Sequence, residues 1–181
     1  MELNPTAYVI LGMVRREPRS GYEIKALVDN STRFFWAASY GQIYPELKRL
    51  AEAGLIVGSD SPTGGRRRTV YEITADGEEE LRAWLRQEPE TFEMRDEGLL
   101  KLFFADALPR EEALEIVRRM RVQRIAMHER LLAIKELKAG VEEASFPMVV
   151  LRGGLEFTKW FAEWCARIED EILAAPEERS S

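Results

Sequence analysis

The sequence predicts a mainly α-helical fold with one small β-hairpin, in which an N-terminal part of mixed structure precedes a purely helical part. Two observations support this. Up to about residue 88, helical apolar periods alternate with turn residues and two β-prone runs, whereas beyond about residue 97 every segment has a helical period. The chain of 181 residues is long enough for one domain or two small ones. We therefore expect a first domain at 1–88, a linker at 89–97 and a helical domain at 98–181.

The first two predicted helices occupy Thr6 to Arg16 and about residues 21–30. Pro5 precedes the first helix, at a position where its missing amide costs little. Ser20 immediately precedes the second helix, and Glu23 lies in its first turn. This is the spacing of a capping box, in which each of the two side chains bonds to a backbone amide that otherwise lacks a partner.

The third predicted helix lies in the stretch "SYGQIYPELKRLAEAGLI" and ends near Ala53. Its back half shows one buried stripe, formed by Ile43, Leu47 and Leu50, yet its front half contains Gly41 and Pro45. One interpretation is a recognition tip with a loosened first turn, where Gly41 lets the backbone approach a duplex. The alternative is a helix that starts at Gln42, with Pro45 in its first turn.

A β-hairpin and a fourth helix follow. The β-prone runs "LIVGSD" and "RRTVYEIT" are joined by "SPTGG", which is rich in turn residues. Thr74 then caps a helix in which Leu81, Trp84 and Leu85 recur at helical spacing.

Three helices, a hairpin and a further helix are the order of a winged helix-turn-helix domain. In such a domain the third helix enters the major groove of DNA, and the hairpin lies over the adjacent backbone or minor groove. Gln42 can pair bidentately with adenine, and tyrosine hydroxyls and cap amides suit phosphate. The arginines of the hairpin either contact phosphates or form a solvated strand edge. The candidate DNA-binding residues are Ser39, Tyr40, Gln42, Tyr44, Lys48, Arg66, Arg67 and Arg68.

The charge is unevenly distributed along the chain. The net charge is -6, but residues 1–73 hold ten Lys and Arg against eight Asp and Glu, and the remainder holds sixteen against twenty-four. A basic N-terminal part is compatible with local binding of a polyanion, so double-stranded DNA is an admissible partner.

The C-terminal part is predicted to form three helices, from Gly98 to Leu108, from Glu111 to about Glu143, and from Pro147 onward. A lone amphipathic helix as long as the middle one lacks a core of its own, so we expect a homodimer in which a partner helix covers its apolar seam. Arg124 and Lys138 interrupt that seam and should either meet acidic partners or reach solvent. The seam has a near-heptad spacing and consists of Ala113, Val117, Met120, Met127, Leu131, Ile134 and Val141.

The four tryptophans permit two interpretations. Trp160 and Trp164 lie one helical turn apart and, with Trp36 or Trp84, could line a pocket for a small aromatic effector. The alternative is that each of them packs in a core.

Catalysis and metal binding have little support. His128 is the only histidine and Cys165 the only cysteine, so we expect no metal site, no cofactor and no enzymatic activity. Cys165 is interpreted as a small apolar residue or as a redox sensor. The single cysteine also predicts a reducing, cytoplasmic location. No apolar run approaches the roughly 20 residues that span a bilayer, and the first residues do not resemble a signal peptide.

From Ala7 to Arg86 the sequence resembles the DNA-binding half of PadR-family transcriptional regulators. The resemblance rests on "YVILGMV", "SGYEI", "YGQIYPELKRLAEAGLI" and "GGRRRTVYEIT" in this order. It implies a cytoplasmic homodimer that binds a palindromic operator, usually as a repressor. The C-terminal half resembles, in pattern and length, the long-helix dimerisation domain of the larger members, and some members release DNA on binding phenolic or drug-like molecules. The contrasting hypothesis is a winged-helix scaffold that binds a ligand or a protein without binding DNA.

Overall fold

The computed structural model describes residues 3–63, 66–89 and 95–175. It divides the chain into two compact units, with the division between residues 91 and 92. The fold is mainly helical with a small antiparallel sheet, which confirms the predicted fold class.

The described elements of the first unit follow the order of a winged helix. Pro5 opens the first helix, and Thr74 caps the fourth through a bond from the Gly77 amide to its Oγ, 3.1 Å long. The elements are α1 (Pro5–Val14), β1 (Arg19–Ser20), α2 (Gly21–Asp29), a 3₁₀ turn (Thr32–Phe34), α3 (Tyr40–Glu52), β2 (Ile56–Thr63), β3 (Arg66–Ile73) and α4 (Ala75–Leu85).

The sheet contains a strand that the sequence analysis missed. The strand order in the sheet is β1-β3-β2, and both β1 and β2 run antiparallel to β3. The predicted hairpin is confirmed, with Ile56 opposite Ile73. The added strand β1 is only two residues long and pairs Arg19 with Tyr71 and Ser20 with Val70, so it joins the segment before α2 to the hairpin.

The core of the first unit forms where α1, α2 and α3 meet. Ile43, Leu47 and Leu50 are fully buried, so the predicted apolar stripe of α3 is confirmed. They pack with residues of all the neighbouring elements, among them Ile10, Leu11, Val14, Ile24, Val28, Ile56 and Leu81. Burial of this stripe fixes which face of α3 points outward.

The start of α3 resolves the ambiguity about Pro45. Ser39 is the N-cap and Tyr40 the first helical residue, so Pro45 lies inside the helix. The alternative that the helix begins at Gln42 is therefore wrong. Because proline has no amide hydrogen, the carbonyl of Gly41 lacks its usual partner four residues on. A Cβ at Gly41 would meet only the Oγ of Ser39, at 3.8 Å, so packing within the chain does not require this glycine.

The close approach of α4 to the chain before β2 depends on a different glycine. A Cβ at Gly77 would lie 2.0 Å from the carbonyl oxygen of Leu55 and 3.0 Å from a side-chain carbon of Ile73. The same carbonyl accepts a bond from the amide of Thr74, 3.1 Å long. A side chain at Gly77 would therefore separate α4 from the segment that leads into the sheet.

The second unit is helical throughout its described residues. Its elements are α5 (Glu97–Phe103), a 3₁₀ turn (Ala105–Ala107), α6 (Arg110–Leu137) and α7 (Phe146–Ala174). Two predicted boundaries are corrected, because α5 ends before Leu108 and α6 ends at Leu137 instead of continuing to about Glu143. Gly140 has a φ of 95°, a left-handed conformation that suits the turn between α6 and α7.

The apolar seam of α6 is partly covered from within the chain. Val117 and Met120 pack in one cluster with Phe161 and Cys165 of α7. Helix α7 therefore buries part of the seam without a second copy, and the expected homodimer stays a prediction. Val141, predicted to belong to the seam, is half-exposed beyond the end of α6.

Arg124 meets the acidic partner that its place in the seam requires. It forms an ion pair with Asp96, the N-cap of α5, and its guanidinium carbon lies 4.3 Å from the centroid of the Phe161 ring. The charge is thus neutralised at the start of α5, while the guanidinium itself lies over an aromatic ring. Lys138, the other basic residue, caps the C-terminus of α6.

Candidate nucleic-acid interface

The outward face of α3 is polar and aromatic. Tyr40, Gln42, Tyr44 and Lys48 are all exposed, opposite the buried stripe. The rings of Tyr40 and Tyr44 stack with their centroids 6.1 Å apart and their planes 22° apart. The structure therefore brings together on one surface the four residues that the sequence assigned to this helix.

Gln42 and Ser39 close the N-terminus of α3. The side-chain oxygen of Gln42 accepts bonds from the amide and the hydroxyl of Ser39, at 2.9 and 3.1 Å. A bidentate pair with adenine uses both the oxygen and the NH₂ of a glutamine. Gln42 can offer its NH₂ to a base edge as it stands, but it must leave the cap before it can pair bidentately.

Lys48 projects from the later part of this face. Its ammonium lies 3.7 Å from the carboxylate of Glu52, and both side chains are largely in solvent. An exposed pair of this kind contributes at most about 1 kcal/mol and is screened by salt. Lys48 can therefore exchange Glu52 for a phosphate at little cost.

The hairpin contains three of the predicted DNA-binding residues, Arg66, Arg67 and Arg68, and the side chain of Arg68 is described. Arg66 and Arg67 lie opposite Thr63 and Pro62 at the start of β3, and their side chains fall outside the described part of the structure. Arg68 forms an ion pair with Glu23 at the start of α2. Arg68 thus ties the hairpin to α2, and its predicted contact with DNA stays a prediction.

Glu23 is the acidic partner of Arg68, whereas the sequence analysis predicted for it only a place in the capping box of α2. Its carboxylate accepts bonds from the amide and the hydroxyl of Ser20, both 2.9 Å long, which confirms the predicted capping box. The bond from the Ser20 amide, followed by the bond from Arg68 and then by the bond from the Ser20 hydroxyl, lowers the pKa of Glu23 from 4.5 to about 2. The pairing of residues 45 positions apart left no signal in the local sequence pattern.

Helix α2 also touches the tyrosines of α3, and the sequence analysis missed this contact. The ammonium of Lys25 lies 5.4 Å from the centroid of the Tyr40 ring. Lys25 forms an ion pair with Asp29 as well. A cation over an aromatic face is attracted by the ring quadrupole, so the two helices are joined by more than their apolar faces.

The four tryptophans are divided between the two units. In the first, Trp84 stacks on Tyr8 with the ring centroids 4.4 Å apart, and Trp36 is partly exposed. In the second, Trp164 packs edge-on against Phe161 and Trp160 is half-exposed. For Trp84 and Trp164 the structure thus supplies a packing role.

A cavity of about 370 Å³ lies at the turn between α6 and α7. Its lining includes Leu132, Lys135, Lys138, Val141 and Met148, and none of the four tryptophans. This cavity is therefore separate from the predicted tryptophan-lined pocket.

The surroundings of Cys165 and His128 indicate packing roles for both residues. Cys165 is fully buried, and this burial raises the pKa of its thiol, which disfavours the reactive thiolate. His128 bridges α6 to α7, with its Nδ1 3.0 Å from the hydroxyl of the buried Thr158.

Among the described side chains no three His, Cys, Asp or Glu residues are grouped as metal ligands. No described helix is both long and apolar enough to cross a bilayer.

Two family profiles match most of the chain. Residues 10–83 match the transcriptional regulator PadR-like family, and residues 94–172 match the family described as virulence activator alpha C-term. The first match covers the winged-helix elements from α1 to α4, and the second covers the helices α5 to α7.

Similar proteins with curated descriptions or solved structures support the same grouping. The chain is 33% identical over 170 residues to the negative transcriptional regulator PadR of Bacillus subtilis (strain 168), which covers 89% of this chain and 93% of the relative. A crystal structure of B. subtilis PadR in complex with operator DNA matches with a TM-score of 0.84 at 31% identity, covering 93% of this chain and 99% of that one. A crystal structure of the same protein with p-coumaric acid matches with a TM-score of 0.75 at 31% identity, covering 96% and 100%.

These similarities extend over nearly the whole of both chains, and the matched proteins are regulators of transcription and not enzymes. The winged-helix elements, the exposed polar and aromatic face of α3 and the sequence identity agree. The chain belongs to the PadR-like family of transcriptional regulators.

Proposed function

We propose that the protein is a transcriptional repressor that binds a palindromic operator as a homodimer, with α3 in the major groove and the hairpin over the adjacent backbone. The observation that carries the proposal is the exposed row of Tyr40, Gln42, Tyr44 and Lys48 on a helix whose other face is buried in the core. The B. subtilis relative is named a negative regulator and has been crystallised with operator DNA, which supports this function. Such a repressor would act in the cytoplasm.

The proposed roles of the residues follow from their chemistry. Gln42 offers its NH₂ to a base edge, and the hydroxyls of Tyr40 and Tyr44 donate to phosphates. Ser39 brings the amides of the helix start to the same phosphates, and Lys48 adds charge further along α3. Arg66 and Arg67 are proposed to neutralise phosphates from the hairpin, whereas Arg68 holds the hairpin in place through Glu23.

The proposed dimer uses the second unit. Its described surface exposes many large apolar side chains, and contiguous patches of such side chains are typical of interfaces between proteins. At least half exposed are Leu100, Phe103, Phe104, Val122, Leu137, Phe146, Val150, Trp160 and Leu173. A two-fold dimer would bury part of this surface and present two α3 helices to two half-sites. Sedimentation of the full chain at micromolar concentration should show a dimer, and a monomer would contradict the proposal.

We also propose an aromatic small-molecule effector. The support is the structure of the B. subtilis relative with p-coumaric acid, together with the half-exposed Trp160. Planar aromatic acids, p-coumaric acid among them, should quench tryptophan fluorescence and release bound DNA. Compounds that neither quench nor release would leave packing as the role of the tryptophans.

The decisive experiment measures DNA binding by the full chain. Fluorescence anisotropy should be recorded with a duplex from the DNA upstream of the protein's own gene and with a random duplex of equal length and base composition. At physiological salt we expect the first duplex to bind at least about 1,000-fold more tightly. Equal affinity for both, or no binding, would refute the proposal and favour the scaffold hypothesis. Transcription in vitro from the same DNA should fall as the protein is added.

A further inference from the structure

Helix α2 presents two residues of one face to the tyrosines of α3. Gly21 and Lys25 are four residues apart and therefore lie one above the other on α2. Gly21 adjoins the ring of Tyr44, and Lys25 lies over the ring of Tyr40. Both tyrosines of the proposed DNA-binding face are thus contacted by the same side of a neighbouring helix.

Gly21 leaves the space that the Tyr44 ring occupies. A Cβ at this position would lie 2.8 Å from Cε1 and 3.0 Å from Cζ of Tyr44, and 3.1 Å from Cδ1 of Leu47. The side chain of Tyr44 is 50% exposed, so its ring rests on the start of α2 on one side and faces solvent on the other. Even a methyl group at Gly21 would push the ring outward, because the ring can move and the buried Leu47 cannot.

Lys25 fixes the other ring. Its side chain is only 12% exposed and forms an ion pair with Asp29, so its ammonium is held in place. The ammonium lies 5.4 Å from the centroid of Tyr40, whose ring in turn stacks on Tyr44. The two tyrosines therefore form one stacked pair that α2 supports at both rings.

We propose that Gly21 and Lys25 are positioning residues that hold the Tyr40–Tyr44 pair in the orientation used to bind DNA. This inference rests on the proposed function of the α3 face. Two half-exposed rings that must be ordered on binding would cost affinity, and a preformed support removes part of that cost. Gly21 acts through Tyr44 and Lys25 acts through Tyr40, and neither needs to touch DNA.

The test is a double-mutant cycle with the full chain and the duplex from upstream of its own gene. Gly21→Ala should lower affinity about tenfold in the wild-type background and less than about twofold when Tyr44 is already Ala, because contacting residues couple to this extent. Gly21 does not have a positive φ, so the backbone accepts alanine, but the 3.1 Å approach of its Cβ to Leu47 should lower the melting temperature by a few degrees, and binding is therefore measured well below the melting transition of every variant. Gly12→Ala is the matched control, since a Cβ there would meet nothing within 4 Å and should leave DNA binding unchanged.

Lys25→Met provides a second, independent cycle with Tyr40→Ala. Methionine keeps the length of the side chain and removes the ammonium, so affinity should fall only while Tyr40 is present. The slope of log K against log salt should stay constant, since a lysine that contacted phosphate would change it by about one. Losses that are the same with and without the tyrosine would overturn the inference while leaving the proposed function intact. A wild-type protein that shows no preference for the duplex would overturn both.

Discussion

The capping box of α2 and the hairpin share one carboxylate, and removal of Glu23 should loosen both. Glu23 accepts two bonds from Ser20 and one from Arg68. Glu23→Ala removes all three bonds at once, whereas Glu23→Gln keeps an oxygen that can still accept from Ser20. Comparison of the two variants therefore separates the helix cap from the ion pair.

The expected magnitudes follow from these contacts. Loss of a helix cap costs about 1 kcal/mol. The ion pair adds about 0.5 kcal/mol, because the side chains of Glu23 and Arg68 are 38% and 40% exposed and solvent screens their attraction. The lowered pKa of Glu23 would correspond to about 3 kcal/mol in a fully buried group, and the same screening reduces that value. We expect a loss of about 1.5 kcal/mol for Glu23→Ala and about 0.5 kcal/mol for Glu23→Gln.

The assay is urea denaturation of the full chain at a fixed protein concentration, so that any association affects all variants equally. Because the pKa of Glu23 is about 2 in the folded chain and 4.5 as its usual value, the folded state binds fewer protons between these values. The stabilisation by Glu23 is therefore fully present above about pH 4.5 and is lost as the pH falls towards 2. The difference between wild type and Glu23→Ala should shrink over the same interval.

Two results would refute this reasoning. Equal losses for Glu23→Ala and Glu23→Gln at pH 7 would show that the cap contributes nothing. A difference between wild type and Glu23→Ala that stays the same from pH 7 to pH 2.5 would show that the carboxylate is not stabilised in the folded protein. Arg68→Ala is a further control, since it should resemble Glu23→Gln and not Glu23→Ala.

Three further predictions concern the interface and the fold. The double variant Arg66→Ala, Arg67→Ala should bind every duplex more weakly, and the slope of its log K against log salt should fall by up to about 2. An unchanged slope would show that the two arginines form a solvated strand edge. Gln42→Ala should weaken binding to the preferred duplex by about 1 to 3 kcal/mol of binding free energy and leave binding to other duplexes unchanged. Anisotropy with single base-pair variants of the duplex measures this, and an equal loss on all duplexes would argue against a base contact. Gly77→Ala should destabilise by about 3 kcal/mol in urea, because its Cβ would meet a backbone carbonyl, whereas Gly12→Ala should be neutral or stabilising.

The sequence determined those features that depend on neighbours along the chain. The residues of the buried stripe of α3 and the two residues of the capping box at Ser20 and Glu23 are three or four positions apart, which is the period of the helix itself. The hairpin was marked by its turn residues and β-branched runs. Once α3 and its buried face were identified, the outward row of Tyr40, Gln42, Tyr44 and Lys48 followed directly, and the structure places all four on one surface.

Only the tertiary structure decided which distant segments meet. The strand β1 has two residues and becomes a strand because β3 lies beside it, and part of the seam of α6 is covered by α7. The ion pair of Arg68 with Glu23, 45 positions away, was likewise not predicted. The contacts of Gly21 with Tyr44 and of Lys25 with Tyr40 were also not predicted from the sequence. Periodicity reports which face of an element is apolar, whereas a contact between residues far apart in sequence depends on how the folded elements are arranged in space.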